Sequence, residues 1–479
     1  MKAPSIHSLC APAILGLVAS VLVLSPREAS AQTTTFNSGD GDYLNAARWN
    51  SGVPTGSINA AINGNRTATL SGSAPTVGLA MNIGASTPTA GTLVLNTGAS
   101  LTVTGATTLL SFGSLGSGMS GRVTQNGGLF TGSTINIGSG LASGQTPANT
   151  DAALYTMNGG TLSATTLNVA GGSSLKGSMV MTGGTVTTTT LSVGQNGAAG
   201  NLSISGGNMT VSGALNMQAA GAVNIGTSII SVSGGSLTLN TGSAIAINSS
   251  LNSQNAKSIS VSGTGVVNLG GRSTAWANIG ATAEYGVVTV SGGELNFQNA
   301  NTILGNNSTF TGGKVTGLNT LSNNAMVING SEFHVGSNTA AASTTLLDNV
   351  AGTSFTLTSG TLVLGAYGNN SADIFFKNDQ AAADLTGGSI VVDFKYAPTA
   401  GDSFNFIDWT AGTMSLSTSN ISATSYANDY SVVWNTSQWV SDGILSVTSV
   451  TAVPEPSTWA LLISSLMAVV IFRRRRATN

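Results

Sequence analysis

The sequence predicts an all-β chain: a parallel β-helix (solenoid) closed by a β cap and followed by a short C-terminal membrane helix. Three observations predict it. Gly-Gly turns recur through the middle of the chain at steps of 20 to 28 residues. Apolar residues alternate with small polar ones on both sides of each turn. No sustained helical periodicity appears between Gln32 and Thr451.

The turns come first. Copies include Tyr155-Thr156-Met157-Asn158-Gly159-Gly160-Thr161-Leu162, Met179-Val180-Met181-Thr182-Gly183-Gly184-Thr185-Val186 and Val288-Thr289-Val290-Ser291-Gly292-Gly293-Glu294-Leu295. Period-two alternation is the mark of a half-buried strand, and Gly-Gly supplies the positive φ of a tight corner. A second submotif, apolar-x-apolar-Gly, precedes many turns: Gly194 lies 12 residues before Gly206, and Gly280 lies 12 before Gly292. Fixed periods of about 20–50 residues mean stacked repeats. The missing helices argue against leucine-rich and ankyrin repeats, and propeller blades are longer. A β-sandwich array is the main rival.

Composition agrees. Of 479 residues, 7% are charged and 63 are Gly, with 41% hydrophobic and a net charge of −2. Disorder favours low hydrophobicity and high net charge, the opposite balance. Polarity here comes from Ser, Thr and Asn, which suit strands and turns. The only cysteine, Cys10, lies in the leader and precedes its apolar run, so neither disulfide, thiolate metal site nor lipid anchor is expected.

Boundaries follow from these patterns. Residues 1–31 read as a signal peptide: Lys2 is basic, Leu9 to Leu24 is apolar, and Ala29-Ser30-Ala31 is an A-x-A-like cleavage site, placing the mature start near Gln32. Residues 32–70 form an N-terminal leader and 71–372 the solenoid repeats. Residues 373–450 form a β cap, where Gly-Gly turns stop and Phe394, Tyr396, Phe404, Trp409, Trp434 and Trp439 cluster. A solenoid needs an atypical terminal unit to close its core. A carbohydrate-binding face on Trp409, Trp434 and Trp439 is the alternative to their being core.

The tail, 453–479, has three parts: Val453-Pro454-Glu455-Pro456, an apolar helix over 459–472, and Arg473-Arg474-Arg475-Arg476. Its 14 apolar residues fall short of the ~20 that span a bilayer comfortably, though Arg snorkelling extends the reach. The positive-inside rule keeps the arginines cytoplasmic and everything before Val453 on the far side, the side the signal peptide also predicts. At these residues the chain resembles the PEP-CTERM sorting signal. The resemblance implies a Gram-negative-type bacterium, an exosortase-type membrane protease as partner, cleavage close to Pro454-Glu455-Pro456, and association with exopolysaccharide or biofilm matrix. The repeats, with Ala47-Arg48-Trp49-Asn50-Ser51-Gly52-Val53-Pro54, resemble the autotransporter-associated β-strand repeats of bacterial surface proteins. No run of amphipathic barrel strands follows them.

Chemistry is sparse. One carboxylate, Asp151, occurs from Tyr43 to Ala283, and the cations Arg122, Lys176, Lys257, Arg272 and Lys314 stand singly. His334, the only mature histidine, reads as a surface or capping residue. Asp40-Gly41-Asp42 reads as a loop rather than a calcium site. Asp373, Asp379, Asp384 and Asp393, with Lys377 and Lys395 among them, read as a solvated face. No catalytic, metal or cofactor site is predicted. Between Gln32 and Ala452 stand 9 basic and 15 acidic residues, which excludes a nucleic-acid footprint. The expected function is an exported, non-catalytic surface or matrix protein, possible partners being exopolysaccharide or other surface proteins; Asn306-Asn307-Ser308 offers a glycan acceptor. The alternative is a β-helix polysaccharide lyase or glycoside hydrolase using the acidic group at 373–393.

Overall fold

The computed structural model describes residues 32–36, 38–84, 90–110, 121–139, 153–171, 176–195, 198–217, 227–241, 244–247, 257–270, 274–275, 285–303, 308–321, 325–335, 345–348, 354–372, 374–377, 382–408, 413–419, 421–422, 430–452 and 456–476. They build an all-β parallel solenoid with few helices. Each coil carries one strand before its glycine corner and one after, and each strand pairs in parallel with its counterpart one coil on.

The alternation of the sequence becomes the inside and outside of the tube. Leu101, Phe130, Leu162, Val186, Met209 and Leu237 stand in register on successive coils, and the row continues through Val267, Leu295, Val315 and Phe333 to Ile390. Every one is fully buried, and all belong to one continuous core. Burying such a side chain contributes roughly 1.5–3 kcal/mol, so a disulfide-free coil is held by this column and its backbone ladder.

The corners show why glycine is needed. Gly184 has φ +82°, and a Cβ placed there would stand 2.7 Å from the Gly160 carbonyl oxygen of the previous coil. At the same corner an amide column ties coils together. Asn126 Nδ2 donates to Asn96 Oδ1 at 3.2 Å, Asn158 Nδ2 to Asn126 Oδ1 at 2.9 Å, and Thr182 Oγ1 to Asn158 Oδ1 at 3.0 Å.

Both ends of the tube are covered. At the N-terminus Trp49 packs edge-on against Phe36 and Tyr43, with ring centroids 5.2 and 5.0 Å apart, and its Nε1 donates to the Tyr43 carbonyl at 2.7 Å. An antiparallel bridge from Trp49 to Phe36 shields the edge of the first strand, Thr33–Phe36. Near the C-terminus an antiparallel sheet of Ser403–Asn405, Ile444–Ala452 and Tyr430–Asn435 closes over Phe394, Phe404 and Trp434. Parallel pairing nevertheless runs past residue 372, through Ser389–Phe394 to Ile421–Ser422. The change of composition at 373 therefore falls inside the parallel ladder, which continues past it.

A 21-residue helix, Pro456–Arg476, ends the described chain, longer at both ends than the 459–472 expected. No helix among the described residues is long and apolar enough to cross a membrane. The physical reason is plain: the apolar run stops at Phe472 and four arginines complete the helix.

Candidate functional site

Three features of the outer surface gather chemistry. The first is built by the strands after the glycine corner. Inward positions such as Phe130, Leu162, Val186 and Met209 alternate with outward Thr131, Ser163, Thr187 and Thr210. Parallel register lines those hydroxyls up. Thr102, Thr131, Ser163, Thr187, Thr210 and Thr238 are mutual partners over six successive coils. Adjacent strands lie about 4.8 Å apart, so hydroxyls recur at that interval. The next residue on two of these strands is small, Gly132 and Ala164. They line a groove of about 420 Å³ together with Thr165, Thr188, Thr189 and Ser212. No charged side chain lines it.

Its hydroxyls divide into two sets. Thr188 and Ser212 bond backbone: Thr188 Oγ1 reaches the Thr190 carbonyl at 2.9 Å, with the Thr165 carbonyl of the coil before at 3.3 Å, and Ser212 Oγ donates to the Thr188 carbonyl of the coil before at 3.4 Å, as Ser133 Oγ outside the groove does to Gly105 at 2.8 Å. They tie coils together. Thr131, Ser163, Thr187 and Thr210 make no side-chain hydrogen bond among the described residues, so their donors and acceptors face the groove.

The second feature is a charged cluster farther along. Glu294, Lys314 and Glu332 are register partners on three coils. Lys314 Nζ lies 3.8 Å from Glu332 Oε1, which also bonds His334 Nε2. His334 is only 2% exposed, which corrects its expected surface position. Its outward face is covered rather than open. Burial holds its pKa below the usual imidazole value, the Glu332 bond opposing. Nearby, Lys395 Nζ pairs with the buried Asp393 at 2.6 Å. Glu332 and Asp393 are thus each paired with a basic side chain.

The third is a cleft of about 440 Å³ in the cap, lined by Asn405, Asp408, Gln438, Ser441 and Asp442 with Ile407 and Ile444. Ser441 Oγ donates to Asp442 Oδ2 at 2.8 Å.

The residues singled out in the sequence are scattered among these. Asp40 accepts from Thr67 N at 2.8 Å and Asp42 from Leu44 N at 3.0 Å, so both brace the first loops. Asp384 accepts from the Thr386 amide and hydroxyl, which hold its pKa below the ordinary carboxylate value. Asp373 and Asp379 lie outside the described residues, as do Ala29, Ala31, Val453, Pro454, Glu455 and Asn306. Lys377 stands in register with Asp348 and Asp408, away from the Asp393–Lys395 pair's strand. Trp439 is fully buried and Trp434 stacks on Phe394 at 5.7 Å, which places both in the cap core; Trp409 lies outside the described residues. Pro456 opens the terminal helix, and Arg473 and Arg474 are exposed on it. Among the described residues no group of three or more His, Cys, Asp or Glu could hold a metal.

Lys257 is a surprise of a different kind. It occupies an inward position where the preceding coils carry Gly200 and Ser228, is 1% exposed, and burial pushes its pKa down to about 8. The alternating pattern Lys257-Ser258-Ile259-Ser260-Val261 already put it on the buried face. The hydroxyl row was legible too: Thr131, Ser163, Thr187, Thr210 and Thr238 each stand three residues after the second glycine of their corner.

Comparison with protein-family models, with curated proteins and with solved structures gives no match for this chain.

Proposed function

We propose that this chain is an exported, non-catalytic protein of the cell surface or extracellular matrix, delivered by its C-terminal tail. The observation that carries the reading is the terminal helix. Residues 461–470 are all exposed, including Leu461 at 70%, Leu466 at 68% and Met467 at 62%. Between 461 and 470 every residue but Ser464 and Ser465 is apolar, and all ten are exposed. An exposed apolar patch of this kind marks an interaction site, and an apolar helix ending in arginines fits a lipid surface with the charge at the headgroups. The resemblance to a PEP-CTERM signal adds an exosortase-type membrane protease as partner. On this reading the signal peptide exports the solenoid, the helix and its arginines hold the chain at the inner membrane, and cutting near Pro454-Glu455-Pro456 frees it.

The body of the protein suits that end. Along the groove from Thr131 to Ser212 its outer strand faces carry uncharged hydroxyls. The rival reading, a polysaccharide lyase or hydrolase, needs free acid and base groups in one groove, whereas Asp393 is held by Lys395 and His334 by Glu332. The test is fractionation of the native protein beside Glu455→Ala. Wild type in the surface or extracellular fraction, with the variant retained in the inner membrane, supports the reading. Wild type that remains in the inner membrane removes it.

A further inference from the structure

We propose that the hydroxyl-lined groove over the coils from Thr131 to Ser212 is a binding site for a neutral polysaccharide chain lying along the solenoid axis. This deepens the matrix reading by naming the ligand class and the residues that meet it.

The groove dictates what it can hold. Its lining has no charge, so an anionic glycan or a nucleic acid would find no cation to neutralise it. Its backbone amides and carbonyls are spent in the parallel ladder on both sides, so a peptide has no strand edge to extend. What remains free is a file of hydroxyls, Thr131, Ser163, Thr187 and Thr210, at strand spacing of about 4.8 Å. Each can donate one hydrogen bond and accept two. A polymer whose own hydroxyls recur along its length matches such a file with donor-acceptor pairs, and only an uncharged one does so without desolvating an unpaired ion. Gly132, Ala164, Thr188, Thr189 and Ser212 line the same groove, so a chain seated there meets the residues that follow the hydroxyl file as well as the file itself. The coil-tying hydroxyls of Thr188 and Ser212 bond backbone rather than ligand. Rigid, pre-aligned groups lose little entropy on binding.

The site is a file of weak contacts, each neutral hydrogen bond contributing about 0.5–1.5 kcal/mol. Affinity therefore grows with chain length, and short oligosaccharides bind far more weakly than polymer.

The experiment is affinity electrophoresis of the purified full chain through gels containing an unbranched neutral β-glucan, a neutral α-glucan, a mannan or polygalacturonate, at low and high salt. Thr187→Lys, whose long side chain overlies the file, Thr187→Val, which removes one hydroxyl, and Ser231→Lys, on a different outward row, are run beside wild type. Thermal midpoints show that each variant folds. The proposal expects retardation by at least one neutral glycan, insensitive to salt. It expects roughly tenfold weaker binding for Thr187→Lys, a smaller loss for Thr187→Val, and none for Ser231→Lys. It is overturned if no neutral glycan retards wild type, if only polygalacturonate does and salt abolishes it, or if Thr187→Lys binds as wild type does. The result is independent of export. A wild-type chain retained in the inner membrane yet bound by glucan through Thr187 would leave the groove standing and remove the matrix reading. A chain exported normally but blind to Thr187→Lys would do the reverse.

Discussion

One outward position of the coil meets opposite fates in the two halves of the solenoid. Three residues after the corner, the first half presents Thr131, Ser163, Thr187 and Thr210 along a groove, Thr187 exposed and the others half-buried. Farther on, the same row passes through Asn268, Asn296 and Thr316, and the next coil carries His334, whose partner is Val363. His334 and Val363 are each 2% exposed. Strand, register and alternation are the same in both. The difference lies at the far end of the row, where Thr316, His334 and Val363 are buried, and in the titratable groups that gather in that half: Glu294, Lys314, Glu332, His334, Asp393 and Lys395. A polar group under cover must be paired, whereas one facing water need not be. So the half rich in titratable groups is the one where Glu332 and Asp393 are paired, and the half that looks chemically empty holds the groove.

Four perturbations break or sharpen that contrast. The largest effect is expected at a corner of the open half. Gly184→Ala forces a Cβ against the Gly160 carbonyl at φ +82° and should cost about 3 kcal/mol or more. Gly401→Ala, at φ +98° with nothing within 4 Å, should cost only the backbone strain of ~1–2 kcal/mol. Denaturant midpoints measure both. Next comes Lys257, buried between the halves. Its folded pKa of about 8 lies below its unfolded value of 10.5, so the unfolded chain binds more protons between those limits and stability rises with pH across that window. Lys257→Met should be more stable than wild type at pH 7 by about 2 kcal/mol and lose that rise. Thermal melts at several pH values decide it.

His334 gives a smaller effect of the same sign. Its folded pKa is depressed by burial, so its contribution is present above the ordinary imidazole pKa of about 6.5 and is lost as pH falls through it and below. His334→Gln should flatten the acid limb of the stability profile, while Thr187→Val in the open half leaves that limb unchanged. The smallest effect is at Tyr43, whose hydroxyl is buried among Phe36 and Trp49 without a partner. Tyr43→Phe should be neutral or stabilising by ~1 kcal/mol, read as a shift in thermal midpoint.

The contrast also marks how far the sequence is readable. Corners, strands and the inward column from Leu101 to Ile390 follow from spacing alone, because Gly-Gly pairs and period-two alternation are local signals. Trp434, on the alternating strand Tyr430–Asn435, packs into the cap core as such a strand implies, whereas the fully buried Trp439 opens a short helix that alternation does not foretell. The burial of His334 was not legible. Alternation reports which side of a strand a residue occupies, and nothing local says whether that side faces solvent. The groove was half legible: the hydroxyl file can be counted from each second glycine, but the groove that Gly132 and Ala164 line with it appears only when coils are stacked. The tail was read as a short helix, and the structure lengthens it through Arg476 because arginine is a good helix former.

The central claim is that both ends of this chain are addresses removed on the way to the cell exterior, and intact-mass measurement of the native protein tests it most directly. The account predicts a mass that lacks residues 1–31 and everything after the Pro454-Glu455-Pro456 region, with Glu455→Ala retaining the tail. A native protein whose mass still includes Arg473 to Arg476 would contradict it.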